Sequence, residues 1–230
     1  MKITWLGHGS FRLEIADQVL LIDPWFTGNP VFPTDRRAEA IKSATHILIT
    51  HGHGDHAGDA LALTRETGAP LVGIYDLMGH WAATEDVSTV GFNKGGTVML
   101  GDVAVSMVAA VHSSSIGTDA GPAYAGAEAG FVIKGEGRVI YVSGDTDIMA
   151  DMGWIGEYYA PDIGILCAGG HFTMDMKAAA WAAKKFFNFR TVIPCHYKTF
   201  PILEQSADVL RDGLPGVDVR TPEVMDAVEL

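Results

Sequence analysis

The stretch THILITHGHGDHAGD, residues 45–59, decides how this chain reads. Its first part, residues 45–50, is the continuous apolar run expected of a strand buried on both faces. Its second part crowds His51, His53, Asp55 and His56 into six positions, spaced by Gly52 and Gly54. Imidazole and carboxylate are donors for Zn²⁺ and related transition metals. The H-E-x-x-H zinc arrangement needs a helix to align its histidines. Here the glycines disfavour a helix between His51 and His56. A tight loop is expected instead, because Gly52 and Gly54 permit backbone angles that other residues resist. Such a loop would aim His51 and His53 one way, and Asp55 and His56 another.

Working outward, other polar residues sit at the ends of apolar runs. His8 follows KITWLG, Asp23 follows QVLLI, and His112 ends VAVSMVAAVH. Asp145 follows RVIYVSG, and His196 follows TVIPC. Ligand sites in α/β sheets collect beyond the carboxyl ends of strands, so these residues are expected to converge on one rim. So many donors exceed what one four-coordinate metal uses. Two metals roughly 3.5–4 Å apart, sharing a carboxylate and a water, would use them all. A structural zinc site is usually closed by four ligands, often cysteines, and a cysteine-free nitrogen and oxygen set fits a catalytic centre better.

The remaining chain alternates in the same manner. SFRLEIA, PLVGIY, VSTVGF, GTVML, AGFVIK and DIGILCA read as further strands. ALALTRETG reads as a helix stopped by Gly68, and EQSADVLRDG as another. TMDMKAAAWAAKKFFN is the strongest helix, with Thr173 as N-cap, Asp175 near its positive end, and Lys184 and Lys185 near its negative end. Residues 24–34 and 113–127 read as loops. Trp25, Phe26 and Phe32 are expected to pack the first of them, and His46 and His80 to be structural. Strands alternating with helices predict sheets covered by helices.

Composition bounds the function. The chain has 230 residues, 48% hydrophobic and 19% charged, a soluble globular balance. A single domain over residues 1–230 is expected, able to bury about 70% of its unfolded surface. The net charge of −12 argues against a nucleic-acid partner. No apolar run reaches the roughly 18 residues of a membrane span, and MKITWLGHGSF lacks the features of a signal peptide. Cys167 and Cys195 read as two buried thiols in a reducing compartment. A cytoplasmic protein acting on a small molecule is expected, with no membrane partner and with homo-oligomerisation left open.

THGHGDHAGD carries the H-x-H-x-D-H signature of the metallo-β-lactamase superfamily, which this chain resembles. His112, Asp145 and His196 fall in that family's order and approximate spacing. WLGHGSF, LLIDPWFTGNP, VSGDTDIMADM and VIPCHYKTFP resemble one branch, the small UPF0173/UlaG-like metal-dependent hydrolases, and the likeness covers roughly residues 1–205. The resemblance implies an α/β fold, a four-layer αβ/βα sandwich of two central mixed sheets flanked by helices. It implies that His51, His53 and His112 hold one metal, that Asp55, His56 and His196 hold a second, and that Asp145 bridges them. The branch is expected to carry an acidic residue after the glycines of AGGHFTM, where this chain has His171.

The expected activity is hydrolysis of an ester, lactone, amide or phosphoester by a cation-activated water. Two divalent metal ions are expected, Zn²⁺ favoured, with Mn²⁺ or Fe²⁺ as alternatives. Asp55 would orient the water and accept its proton, and His171 is a candidate proton donor, extra ligand or helix-entry residue. Asp23 is a candidate to orient a ligand histidine through its other ring nitrogen. His8 is a candidate for a substrate contact or a hydrogen-bonded structural histidine, and Tyr197 and Lys198 are candidates for substrate contact. Readings from other classes are a di-iron redox protein on the same fold and a non-catalytic metal-dependent binding protein. The first is disfavoured because such proteins resemble H-x-E-x-D-H, and His53 stands at the middle position.

Overall fold

A computed structural model describes residues 1–230. Apolar runs punctuated by turns fold as strands, and they build two sheets in succession. The first run is β1 (Lys2–Trp5), β2 (Phe11–Ile15), β3 (Gln18–Ile22), β4 (His46–Ile49), β5 (Leu71–Ile74) and β6 (Thr89–Phe92). β1 to β3 pair antiparallel, and β3 to β6 pair parallel. The parallel connections carry α1 (Arg37–Ile41), α2 (Gly54–Ala57), α3 (Ala60–Thr67) and α4 (Tyr75–Thr84).

The second run opens with β7 (Thr97–Leu100) and β8 (Val103–Ala109), followed by a separate hairpin of β9 (Ser115–Thr118) and β10 (Gly121–Tyr124). It continues with β11 (Ala129–Gly135), β12 (Arg138–Val142), β13 (Ile163–Cys167), β14 (Thr191–Cys195) and β15 (Asp218–Val219). Between them lie α5 (Asp151–Tyr159), α6 (Met176–Phe186) and α7 (Asp208–Gly213). Here β7, β8, β11 and β12 pair antiparallel, while β12 to β15 run parallel. The last strand, β16 (Ala227–Glu229), returns to pair with β1. The sheet orders are β16-β1-β2-β3-β4-β5-β6 and β15-β14-β13-β12-β11-β8-β7. The molecule is the four-layer αβ/βα sandwich of two mixed sheets flanked by helices.

Burial explains the layering. β2 alternates buried with half-buried residues, whereas every residue of β13 and β14 is buried. Parallel strands joined by helical crossovers are covered on both faces. One core of 65 buried residues joins the two sheets. Phe92 of β6 stacks on Phe131 of β11, and a Cβ at Gly135 would come within 2.8 Å of Ile15 across the core. On α6, Met176, Ala179, Ala180, Ala182 and Ala183 are buried, and the small side chains let the helix lie close to its sheet.

Several local expectations need correction. The N-cap of α6 is Asp175, whose Oδ1 accepts from the Ala178 N–H at 2.6 Å; the Thr173 hydroxyl turns to the Met174 carbonyl instead. β5 stops at Ile74 and α4 begins at Tyr75, with Leu77, Met78 and Trp81 buried. α5 escaped the sequence because exposed Trp154 and Tyr158 blur the period set by Met152 and Ile155. The small-residue stretch 113–127 contains the β9–β10 hairpin. The motif segment is also more ordered than a loop: His53 is extended, and the helical turn α2 follows it at once. Gly54 sits in the first turn of that helix, where backbone N–H groups need no intrahelical partner and glycine does little harm. In the loop at 24–34, Phe26 and Phe32 are buried and stack at 4.3 Å, so packing is their role.

Candidate metal centre

Strand ends from both sheets supply the polar groups. His8 lies beyond β1, Asp23 beyond β3 and His51 beyond β4; His112 lies beyond β8, Asp145 beyond β12 and His196 beyond β14. Three of these residues turn the chain sharply: His8 (φ 53°), Asp23 (φ 46°) and His196 (φ 60°) occupy the left-handed region. That conformation costs about 1–3 kcal/mol per residue, so the surroundings must fix it. They do so by joining the sheets. The His8 carbonyl accepts from both Trp5 Nε1 and the His196 N–H at 3.0 Å. The Thr50 carbonyl accepts from the Ala129 N–H of β11, also at 3.0 Å.

The carboxylate of Asp145 is the hub. Its Oδ2 lies 3.1 Å from His196 Nε2, 3.2 Å from His56 Nε2, 3.7 Å from His112 Nε2 and 4.0 Å from His51 Nε2. Around it fall two sets of donor atoms, each within 4.8 Å of one another: His51, His53 and His112 on one side, His8, Asp55, His56 and His196 on the other. The first set is the more open, since His53 and His112 are half-buried. In the second, His8, His56 and His196 are buried, and only Asp55 reaches solvent, with 34% of its side chain exposed.

Hydrogen bonds set which ring nitrogen faces the hub. Asp23 Oδ2 accepts from His56 Nδ1 at 2.8 Å and from the Thr50 hydroxyl at 2.6 Å. Having spent its proton on Asp23, the Thr50 hydroxyl is the acceptor in its 3.0 Å contact with His51 Nδ1. One carboxylate thus turns the Nε2 atoms of His51 and His56 toward Asp145. Asp23 is itself held by the Thr50 N–H at 2.7 Å and by Ser10, whose hydroxyl donates to its carbonyl.

Charge follows burial and neighbours. Burial pushes His51 well below its ordinary pKa, with His56 adding to the effect. Burial likewise lowers His53 and His112, and takes His8 down to about 4. His56 is the exception: burial opposes its charge, but Asp145 and Asp23 outweigh burial and hold it well above the ordinary value. Burial would raise Asp145, yet His56 and His196 hold it well below the usual carboxylate range. Burial would also raise Asp55, but His8, through its hydrogen bond and charge, and His56 together outweigh it and hold it well below the usual carboxylate range. Ionised carboxylates among mostly neutral imidazoles are the protonation states that metal donors require.

The donor set fits divalent cations on a local observation. His56 Nε2 is buried and has no hydrogen-bond partner, although it lies 3.2 Å from an Asp145 oxygen. A buried nitrogen left without a partner is costly, and a cation between it and Asp145 satisfies both. The borderline imidazole and hard carboxylate mixture suits Zn²⁺, Mn²⁺ or Fe²⁺.

Not every candidate reaches this cluster. His171 is exposed, packs against Phe172 at 4.5 Å and lines a cleft of about 820 Å³ with Gly169, Gly170 and Glu204. The cleft adjoins the centre at Gly169, where a Cβ would overlap the His196 carbonyl oxygen and crowd its Nδ1. Tyr197 is buried and stacks on Trp5 at 5.4 Å, and Lys198 pairs with Glu223 at 3.4 Å; neither turns to the donors. The sequence reading missed Thr50, Asp59, Thr199, whose hydroxyl lies 2.9 Å from His8 Nδ1, and Glu128, whose Oε1 accepts from the His112 N–H at 3.2 Å. Asp59 ends the quoted motif and accepts from the N–H groups of Phe26 and Thr27 and from the Thr27 hydroxyl, tying the aromatic loop to the metal-loop helix.

Comparison with known proteins agrees with this geometry. Residues 18–197 match the model of the Beta-lactamase superfamily domain. A UPF0173 metal-dependent hydrolase of Dinoroseobacter shibae is 75% identical over the whole of both chains, and one of Paracoccus denitrificans is 66% identical over the same span. The structure of Igni18, a metallo hydrolase from Ignicoccus hospitalis, superposes with a TM-score of 0.85 at 33% identity, covering 99% of this chain and 97% of that one. No helix here is long and apolar enough to cross a membrane. Signature, fold and relatives agree, and the chain belongs to the UPF0173 metal-dependent hydrolases of the metallo-β-lactamase superfamily.

Proposed function

We propose that this enzyme hydrolyses a small ester, lactone or phosphoester, using two divalent cations, Zn²⁺ favoured and Mn²⁺ or Fe²⁺ as alternatives. His51, His53 and His112 would hold one, Asp55, His56 and His196 would hold the other, and Asp145 would serve both. The observation that carries this reading is the position of Asp145 Oδ2 within 4.0 Å of imidazole nitrogens from both sides. Bound divalent cations supply Lewis acidity, lowering the pKa of water toward neutrality and polarising the oxygen of the scissile group.

The residues do the rest. Asp23 and Thr50 engage the Nδ1 atoms of His56 and His51, which leaves the Nε2 atoms of both rings turned to the donor cluster. Asp55 is ionised and partly exposed, so it can orient the attacking water by accepting a hydrogen bond, and it is the candidate to take its proton. His171, on the cleft that adjoins His196 through Gly169, is the candidate to protonate the leaving group. That cleft carries Asp147, Asp175 and Glu204 and neither lysine nor arginine. Acidic walls repel anions, which favours uncharged esters or lactones over phosphoesters. The test is turnover on matched ester, lactone and phosphodiester substrates, with metal content measured before and after chelation. Loss of turnover on chelation and recovery on metal return are expected, with the uncharged substrates faster. Full turnover by metal-free protein overturns the mechanism, and tight metal binding without turnover across the panel would favour a binding protein.

A further inference from the structure

The loop at 24–34 carries three aromatic rings, and they are not alike. Phe26 and Phe32 are buried against each other, whereas Trp25 is only half-buried. The backbone of Trp25 is fixed on both sides: its N–H donates to the Ser10 hydroxyl at 3.1 Å, and its carbonyl accepts from Asn29 Nδ2, also at 3.1 Å. The indole N–H donates to the Thr27 carbonyl at 2.8 Å, and Thr27 is in turn held by Asp59 of the motif. The ring is set in place with its one polar group satisfied, so the part that reaches solvent is apolar.

A second ring stands beside it. Phe200, also half-buried, lies 6.1 Å from Trp25 at an angle of 35°. Both meet the His8 ring edge-on, Trp25 at 5.3 Å and Phe200 at 5.9 Å. His8 is wholly buried, yet the Asp55 carboxylate, 3.0 Å from its Nε2, is 34% exposed. The two rings that cover His8 therefore border the opening at Asp55. Phe200 also leads to the cleft of His171: its carbonyl accepts from the Leu203 N–H at 3.0 Å, and Leu203 pairs with Gly170 on that cleft. A flat guest stacked between two rings needs about 7 Å. Trp25 and Phe200 are closer than that, so a guest lies across their outer surface.

We propose that Trp25 and Phe200 are specificity-determining residues, an aromatic wall that takes an aryl group on the acyl side of the substrate. Pre-positioned apolar rings beside a few polar groups are the usual lining of a small-molecule site. The proposal rests on the hydrolase reading above, in which His171 and its cleft serve the leaving group and the rings beside Asp55 are left to the acyl part. The competing arrangement is that both rings only pack His8.

The experiment compares trifluoroethyl phenylacetate with trifluoroethyl acetate, which share a leaving group and differ by the aryl ring, on the metal-loaded enzyme. Wild type is expected to favour the aryl ester by about tenfold in kcat/KM relative to the uncatalysed rates, the scale of one aromatic contact and the area it covers. Trp25→Ala should erase that preference through KM, and Trp25→Phe should keep most of it. Equal losses on both esters would mark a packing role and overturn the proposal, as would a wild type without aryl preference; either result leaves the hydrolase reading intact. Binding of benzyl trifluoromethyl ketone against trifluoroacetone, followed by fluorine NMR, needs no turnover. A tighter benzyl ketone whose advantage vanishes in Trp25→Ala supports the wall even if neither ester is cleaved, a result that would count against the hydrolase reading alone. Should Trp25→Ala fail to fold, Phe200→Leu decides: a reduced aryl preference supports the wall, and an unaltered one refutes it.

Discussion

The two donor groups flank one carboxylate, yet they are built differently. His51, His53 and His112 come from the end of β4 and the segment after β8, and two of the three are half-buried. His8, His56 and His196 are buried and tied to the backbone of both sheets, and only Asp55 is partly exposed. The difference teaches a division of labour. The buried donors are shielded and fixed by both sheets, and the open side faces solvent, which under the proposed function would suit it to meet substrate. Asp145 and Asp23 belong to both groups; Thr50 serves one and Thr199 the other.

Substitutions at Asp145, Asp23 and Thr50, with Asp175 as a control away from the donor groups, break or sharpen the contrast. The largest effect is expected for Asp145→Asn, which removes the charge facing both groups. Turnover should fall by more than about 100-fold, beyond the range typical of outer partners, and titration should find both cation affinities reduced. Asp23→Asn should follow, with a loss of roughly 10–100-fold. Its amide would point a donor at the His56 and Thr50 protons, so both groups should again weaken. Thr50→Val is the sharper probe: it removes the acceptor of His51 Nδ1, while Asp23 loses the hydroxyl donor but keeps the Thr50 N–H and His56 Nδ1. About tenfold weaker binding is expected at the open group alone, with Thr50→Ser restoring wild-type binding; equal losses at both groups would erase the distinction. The smallest effect on the centre is expected for Asp175→Ala, which deletes the α6 cap. It should cost about 1 kcal/mol of stability, read as a melting-point shift of roughly 2–4 °C, while both cation affinities stay unchanged.

The same contrast explains what the sequence made legible. His51, His53, His56, His112 and His196, with Asp23, Asp55 and Asp145, all end apolar runs or belong to the glycine-spaced motif. Their convergence follows from sheet topology, which strand and helix alternation already implies. Hydroxyl partners were hidden, because their roles depend on contacts across the fold: His8 and Thr199 are 191 residues apart. Tyr197 and Lys198 looked like substrate residues for following His196. The left-handed turn at His196 sends the chain away from the hub, leaving Tyr197 on Trp5 and Lys198 on Glu223. α4 and α5 were obscured by exposed aromatics at Tyr75, Trp154 and Tyr158 that break an amphipathic pattern.

The most direct test of the cation-dependent mechanism is stepwise return of Zn²⁺ to chelator-stripped enzyme, with bound metal and ester turnover measured on the same samples. The account predicts no turnover without metal and a rise that saturates at two equivalents per chain. Turnover that is complete before any metal returns would contradict it.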